Sequence, residues 1–279
     1  MPYQWYPGHM TKAVRVMQED IKLIDLVIEI LDARIPVSSR NPDIDKLASG
    51  KSRLVLLNKS DLADSDVNTK WKQYFEASGI ECLLIDSKGA VGFRDIKNAV
   101  MKACKAKLEK DKKKGRIGRP LRAMVCGIPN VGKSTFINTY SKKACTKTGN
   151  KPGVTKGKQW IRLDKTLELL DTPGILWPKF EDEQVGLHLA MTGSINDEII
   201  LSDELACDII EFMKKDYPGV LNGRYNICED KDKYEILSDV AVVRGCMLKG
   251  AEPDLVKAAG MLIDDFRSGR LGKISLEKP

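Results

Sequence analysis

The segment Gly127-Ile128-Pro129-Asn130-Val131-Gly132-Lys133-Ser134 constrains this chain more than any other. Two glycines five apart, followed by Lys and Ser, form a phosphate-binding loop pattern. Its setting agrees: the apolar run Leu121 to Cys126 precedes it, and Thr135-Phe136-Ile137-Asn138 opens a helix. Glycine lets the backbone curl so that amide N–H groups from Gly127, Asn130, Val131, Gly132 and Thr135 face phosphate oxygens at a helix N-terminus. Lys133 would reach the terminal phosphates and the Ser134 hydroxyl would ligate magnesium.

A second motif selects the base. Arg53-Leu54-Val55-Leu56-Leu57 reads as a buried strand ending in Asn58-Lys59-Ser60-Asp61. The Asp61 carboxylate can accept hydrogen bonds from both the ring N–H and the exocyclic amine of guanine. Adenine has no such donor pair and would leave it unpaired at a cost of about 1–3 kcal/mol. Asn58 would bridge base and phosphate loop, and the Lys59 stem would cover one face of the base. Ser87-Lys88-Gly89 follows a short strand, Cys82 to Ile85, and its amides are expected to meet the guanine carbonyl.

A third motif, Asp171-Thr172-Pro173-Gly174, follows the apolar run Leu167 to Leu170. Asp171 is expected to hold the magnesium water shell, and the Gly174 amide the terminal phosphate. Thr155, in Lys151-Pro152-Gly153-Val154-Thr155-Lys156, is the expected second magnesium ligand. Asn130 either helps ligate a potassium ion near the phosphates or simply tolerates the loop's backbone geometry.

These motifs resemble those of the translation-factor class of GTPases, but base recognition precedes phosphate recognition along the chain. Together with Trp5-Tyr6-Pro7-Gly8-His9-Met10 and Asp32-Ala33-Arg34-Ile35-Pro36, the order closely resembles the circularly permuted YlqF/RbgA family of large-ribosomal-subunit assembly GTPases. The resemblance implies an α/β fold: a circularly permuted P-loop GTPase domain with a mostly parallel sheet and helices on both faces, plus a small all-helical C-terminal domain. The expected boundaries are 1–190 and 191–279. A helix from Phe93 to about Leu108, then a charged surface linker from Lys110 to Pro120, would make the splice. Ile175 stands where many GTPases place a water-orienting glutamine, and His9 is the expected replacement. On this reading His9, Lys133, Thr155 and Gly174 are the catalytic set, and Ser134, Thr155, Asp171 and Asn130 the metal set.

Charge points to the partner. Residues 1–179 hold 34 Lys+Arg and 19 Asp+Glu, a balance of +15, while residues 180–279 hold 12 and 20, a balance of −8. Basic runs at Lys102–Arg122 and Lys142–Lys165 suit phosphate contacts that read no base. With the resemblance they imply rRNA and the large ribosomal subunit as partners, no DNA, and a monomer off the ribosome. Arg34, Arg40, Trp5 and Tyr6 are candidates for further RNA contacts, with packing an equal explanation for the aromatics. No apolar run is long enough for a membrane helix, and the first residues lack a secretory pattern. The seven scattered cysteines suit a reducing cytoplasm and no structural zinc. GTP/GDP, Mg2+ and K+ are the expected ligands. A non-catalytic, guanine-nucleotide-sensing RNA-binding module and a signalling GTPase with a protein target remain rival readings.

Overall fold

The structure, a computed structural model, describes residues 19–116, 118–141, 159–162, 166–171, 182–195 and 202–279. A 3-10 turn at Ile21–Leu23 leads to β1 (Leu26–Asp32), in which every residue is buried. That run has no polar alternation because both faces of the strand are covered, as in parallel sheets. The one-turn α1 (Ile44–Leu47) precedes β2 (Ser52–Asn58), and α2 (Ser65–Ala77) follows it. The Asp64 side chain caps α2 by accepting from the amides of Asp66 and Val67. Val67, Trp71 and Phe75 lie on one stripe of that helix and are buried against Leu31, Val55 and Leu57.

After β3 (Glu81–Leu84) the single helix expected over 93–108 is two, α3 (Ile96–Ala103) and α4 (Lys105–Lys113), separated at Cys104. The helix therefore continues into what the sequence suggested was linker. Helix α4 buries no residue, and its Lys107–Asp111 pair and cationic last turn favour the helical state. Then come β4 (Leu121–Cys126), α5 (Lys133–Ser141), β5 (Gln159–Arg162) and β6 (Leu167–Asp171).

The strands form one sheet in the order β3-β2-β1-β4-β6-β5, parallel except for the edge strand β5. β1 thus joins the base-motif strands to the phosphate-motif strands. Val27 pairs with Met124 and Met124 with Leu170, a rung buried together with Ile24 and Ile44. Consecutive β1–β2–β3 run side by side on one half. On the other, β4 crosses to the far edge of β1, so the carboxyl ends of β1, β2, β4 and β6 line one rim. In open α/β sheets that rim is where ligands bind.

A second compact unit covers Asp182–Ile274, so it begins ahead of the boundary expected after residue 190, and Ser275–Pro279 belong with the sheet. Its helices are α6 (Glu183–Met191), α7 (Ser202–Asp216), α8 (Val220–Tyr225), α9 (Lys233–Val243) and α10 (Leu255–Arg267). The apolar stripes of α7 and α10, including Leu205, Ile209, Met213, Leu262 and Phe266, form its core. His188 is buried there and its ring meets the Gln184 amide at 2.9 Å, a packing role. The guanidinium of Arg267 donates to the carbonyls of Ala190 and Met191 at the end of α6, supplying partners for orphan helix acceptors.

Buried Asp265 organises this unit. Its carboxylate accepts from Arg224, Tyr225 and Arg244, and also pairs with Arg270. Burial pushes its pKa up, but the hydrogen bonds from Arg224 and Tyr225 outweigh this and hold it below the usual carboxylate range. A depressed carboxylate contributes stability above the unfolded-state value and loses it as pH falls through the folded one. The unfolding midpoint of this unit is therefore expected to drop below about pH 4. Asp265→Ala should cost about 2 kcal/mol at neutral pH, below the fully buried figure because its arginines can resolvate. Urea denaturation monitored across pH checks both.

Candidate functional site

The site is assembled around the amide of Asn58, the last residue of β2. Its Nδ2 donates to the Val131 carbonyl of the phosphate loop at 2.7 Å, and its Oδ1 accepts from the Ser87 amide at 3.0 Å. One buried side chain so joins all three loops at the rim. Thr139 of α5 adds a second tie, donating to the Ser87 carbonyl at 2.9 Å.

The phosphate loop has the shape its glycines suggested. Gly132 has φ +95°, and a Cβ there would lie 2.3 Å from Asn58 Nδ2. A Cβ on Gly127 would lie 2.7 Å from the Ile30 carbonyl oxygen. Both glycines are dictated by close approach as much as by backbone freedom. Asn130 has φ +59°, a left-handed conformation that Asn accommodates. Lys133 is buried at the first position of α5, with Ser134 and Thr135 beside it. The β4–β6 register pairs Val125 with Asp171, bringing the end of β6 beside the strand that feeds the loop. His9, Thr155 and Gly174 lie outside the described residues.

The base-recognition loop is more constrained than expected. Lys59 has φ +58° and its Nζ lies 2.9 Å from Asp32 Oδ2. Asp32, fully buried at the end of β1, also binds Arg34 through Nε at 3.0 Å and Nη2 at 2.8 Å. Burial opposes its ionisation, but the charges of Arg34 and Lys59 prevail and hold the carboxyl well below its ordinary range. The Ser60 hydroxyl and amide donate to the Ile85 carbonyl, locking the motif to the end of β3. Exposed Asp61 has its pKa raised by partial desolvation and by the neighbouring Asp86 carboxylate.

Two sets of residues expected to meet ligands are engaged within the protein in this structure. The Ser87 amide is committed to Asn58, while the Lys88 and Gly89 amides donate to the Asp86 carboxylate at 2.8 and 2.9 Å. Ser87 thus acts in this structure as a brace for Asn58, with its own hydroxyl buried and unpartnered among the described residues. Arg34 and Arg40, candidates for RNA contacts, are both paired within the protein. Arg34 is buried on Asp32, and Arg40 is spent on Glu29 and Asp45. Asp32, at the rim end of β1, was not among the expected site residues.

The comparisons with known proteins agree with this geometry. A family model described as a 50S ribosome-binding GTPase matches residues 122–237. The chain is 49% identical to ribosome biogenesis GTPase A of Bacillus licheniformis, covering 100% of this chain and 99% of that protein. For the Thermotoga maritima protein of the same name identity is 31%, covering 99% and 94%. It belongs to the ribosome biogenesis GTPase A family. Among solved structures, a GDP-bound YlqF superposes with a TM-score of 0.69 at 26% identity, covering 95% of this chain and 99% of that one. The GNP-bound YlqF from T. maritima gives 0.68 at 27%, covering 96% and 98%. As a member of this family the chain is a P-loop GTPase that binds GTP and GDP and hydrolyses GTP, with the permuted α/β fold read from its motif order. No helix among the described residues is long and apolar enough to cross a membrane, and none of their side chains form a metal-binding cluster of His, Cys, Asp and Glu.

Gly132→Ala should displace the Asn58 amide and straighten the left-handed turn. We expect GDP affinity to fall at least tenfold and the melting temperature of the nucleotide-free protein to drop by several degrees, since a buried amide loses a bond; fluorescence titration with a labelled GDP and a thermal melt measure the two.

Proposed function

We propose that this chain is a GTP-hydrolysing assembly factor that binds rRNA and large-ribosomal-subunit precursors and promotes a late maturation step. The observation that carries the nucleotide half is the Asn58 amide, which holds the base motif, the Ser87 loop and the phosphate loop at one place despite their swapped order. Asp61 then reads guanine, Lys59 flanks the base, and Lys133 neutralises charge on the transferred phosphate. When guanine binds, the Lys88 amide leaves Asp86 for the base carbonyl.

The residues present fit a magnesium ion: a P-loop Ser134 hydroxyl, the strand-end Asp171 and, by sequence, Thr155, the oxygen donors such an ion takes. When bound it would supply charge stabilisation at the phosphates. Asn130 would help hold potassium there. His9 would orient the attacking water and Gly174 would present its amide to the terminal phosphate.

The ribosomal half rests on family membership and on charge. Lys105, Lys110, Lys112, Lys113 and Lys114 are exposed along α4, whereas Lys102, Lys107, Arg119 and Arg122 are engaged by Glu81, Asp25, Asp111 and Glu168. The free face of α4 is therefore the stronger phosphate-binding surface of the basic run, and such contacts carry a steep salt dependence. The chain would act in the cytoplasm, as a monomer off the ribosome.

The deciding experiment is GTP turnover with and without purified large subunits, in potassium and in sodium. Slow basal turnover, stimulated by the particle and by potassium, is the expected result; absence of particle stimulation would sink the assembly role. His9→Ala should cut turnover far more than GTP affinity. Asp61→Asn should abolish the preference for GDP over ADP. Because desolvation and the Asp86 carboxylate raise the Asp61 pKa, and the group must ionise to accept from guanine, GDP affinity should increase as pH rises through the acid range above the ordinary carboxylate value.

A further inference from the structure

The sheet-bearing unit is completed by residues far from it in sequence. Ser275–Glu277 run along the loop that follows β1. The Leu276 and Glu277 amides donate to the Arg34 carbonyl at 2.9 and 3.3 Å. The Glu277 carboxylate accepts from the Val37 amide at 2.6 Å, from the Ser38 amide at 3.0 Å and from the Ser38 hydroxyl. The Ser275 hydroxyl accepts from the Asp64 amide at 3.1 Å, and the Trp71 indole donates to the Glu277 carbonyl at 3.1 Å. This strap therefore grips both sides of the guanine-recognition loop: the Ala33–Ser39 loop on one flank and the start of α2 on the other.

What the strap fixes leads directly to Lys59. The Ala33–Ser39 loop is closed by Ser39, whose hydroxyl accepts from the Asp32 amide at 3.1 Å and donates to the Ile35 carbonyl. Arg34 then clamps the Asp32 carboxylate from within the loop, and Asp32 holds the Lys59 ammonium. Lys59 has strong reason to need holding: a left-handed backbone is costly for a long side chain. Arg34 also bears on Asp61, where its positive charge favours the ionised form.

We propose that Asp32 is a positioning residue for Lys59 of the guanine site, and that the Ser275–Glu277 strap sets guanine-nucleotide affinity by fixing the loop that holds Asp32. This rests on the base-recognition reading given above. Since residue 275 follows the helical unit without a break, the strap links that unit covalently to the base end of the pocket. A force on the helical unit that draws the strap away releases the Ala33–Ser39 loop, and the lysine that flanks the base loses its anchor. Nucleotide release thereby becomes sensitive to what the helical unit binds.

A double-mutant cycle on the full-length chain tests this, with the dissociation constant for a fluorescent GDP as readout. Glu277→Gln removes the charge that accepts from three donors at once. Lys59→Met keeps the methylene stem over the base but severs the tie to Asp32. Glu277→Gln is expected to raise the GDP dissociation constant roughly five- to tenfold in the parent and to have little further effect in the Lys59→Met background. An equal rise in both backgrounds, or no rise in the parent, would overturn the proposal, since a strap that only stabilises the fold has no reason to act through Lys59. Should Glu277→Gln fail to fold, Ser38→Ala, which removes one donor to the same carboxylate, takes its place with the same two outcomes. Parent protein is titrated with labelled ADP alongside. Equal affinity for ADP defeats the guanine reading itself, whereas guanine preference with an additive cycle defeats the strap alone.

Discussion

A carboxamide has one donor face and one acceptor face, and at Asn58 both are used across chain segments about 30 and 70 residues away. Neither a carboxylate nor an ammonium could do this, since one only accepts and the other only donates. Because the group is buried, either bond left unmade would cost about 1–3 kcal/mol. Everything else at the rim is arranged to let this amide reach its partners. Gly132 has no Cβ because one would collide with it, the Ser87 loop turns back to present an amide, and β2 ends where the side chain can project between them.

That arrangement explains why a nucleotide pocket survives having its two halves encoded in reverse order. A pocket is defined by which strand ends are neighbours, and neighbour relations in the sheet are set by hydrophobic pairing. β1 sits between β2 and β4 and is buried throughout, so it bonds both to the half that reads the base and to the half that grips the phosphates. The order of connection only decides which loops run on the surface. The charged helix α4, with no buried residue, is what remains visible of the splice.

Much of this was legible from the residues. The phosphate loop, the base motif and the strand that precedes each carry local signatures, because glycine close approaches and apolar runs are properties of a few adjacent positions. The tie from Asn58 to the phosphate loop was anticipated, but its bond to Ser87 was not. What could not be read were contacts whose only determinant is tertiary. Glu277 is an unremarkable charged residue until it meets the amides of Val37 and Ser38. Arg34 looked like a surface base because nothing local says that Asp32, two residues earlier, is buried. Lys88 and Gly89 looked available because the Asp86 turn that occupies their amides needs no distinctive sequence. The break at Cys104 was also hidden, since helix signals are strong on both sides of it.

The central place of β1 also bears on how the chain is made. During vectorial synthesis β1, β2 and β3 emerge first and can pair in sequence order as a three-stranded sheet with α2 laid against it. The far edge of β1, apolar and unsatisfied, then waits for β4, some 90 residues later in the chain than β1. An exposed edge of that kind invites mispairing. The permuted gene therefore places the burden of early folding on the half that reads the base, and a nascent chain can hold no nucleotide until the phosphate loop has left the exit tunnel.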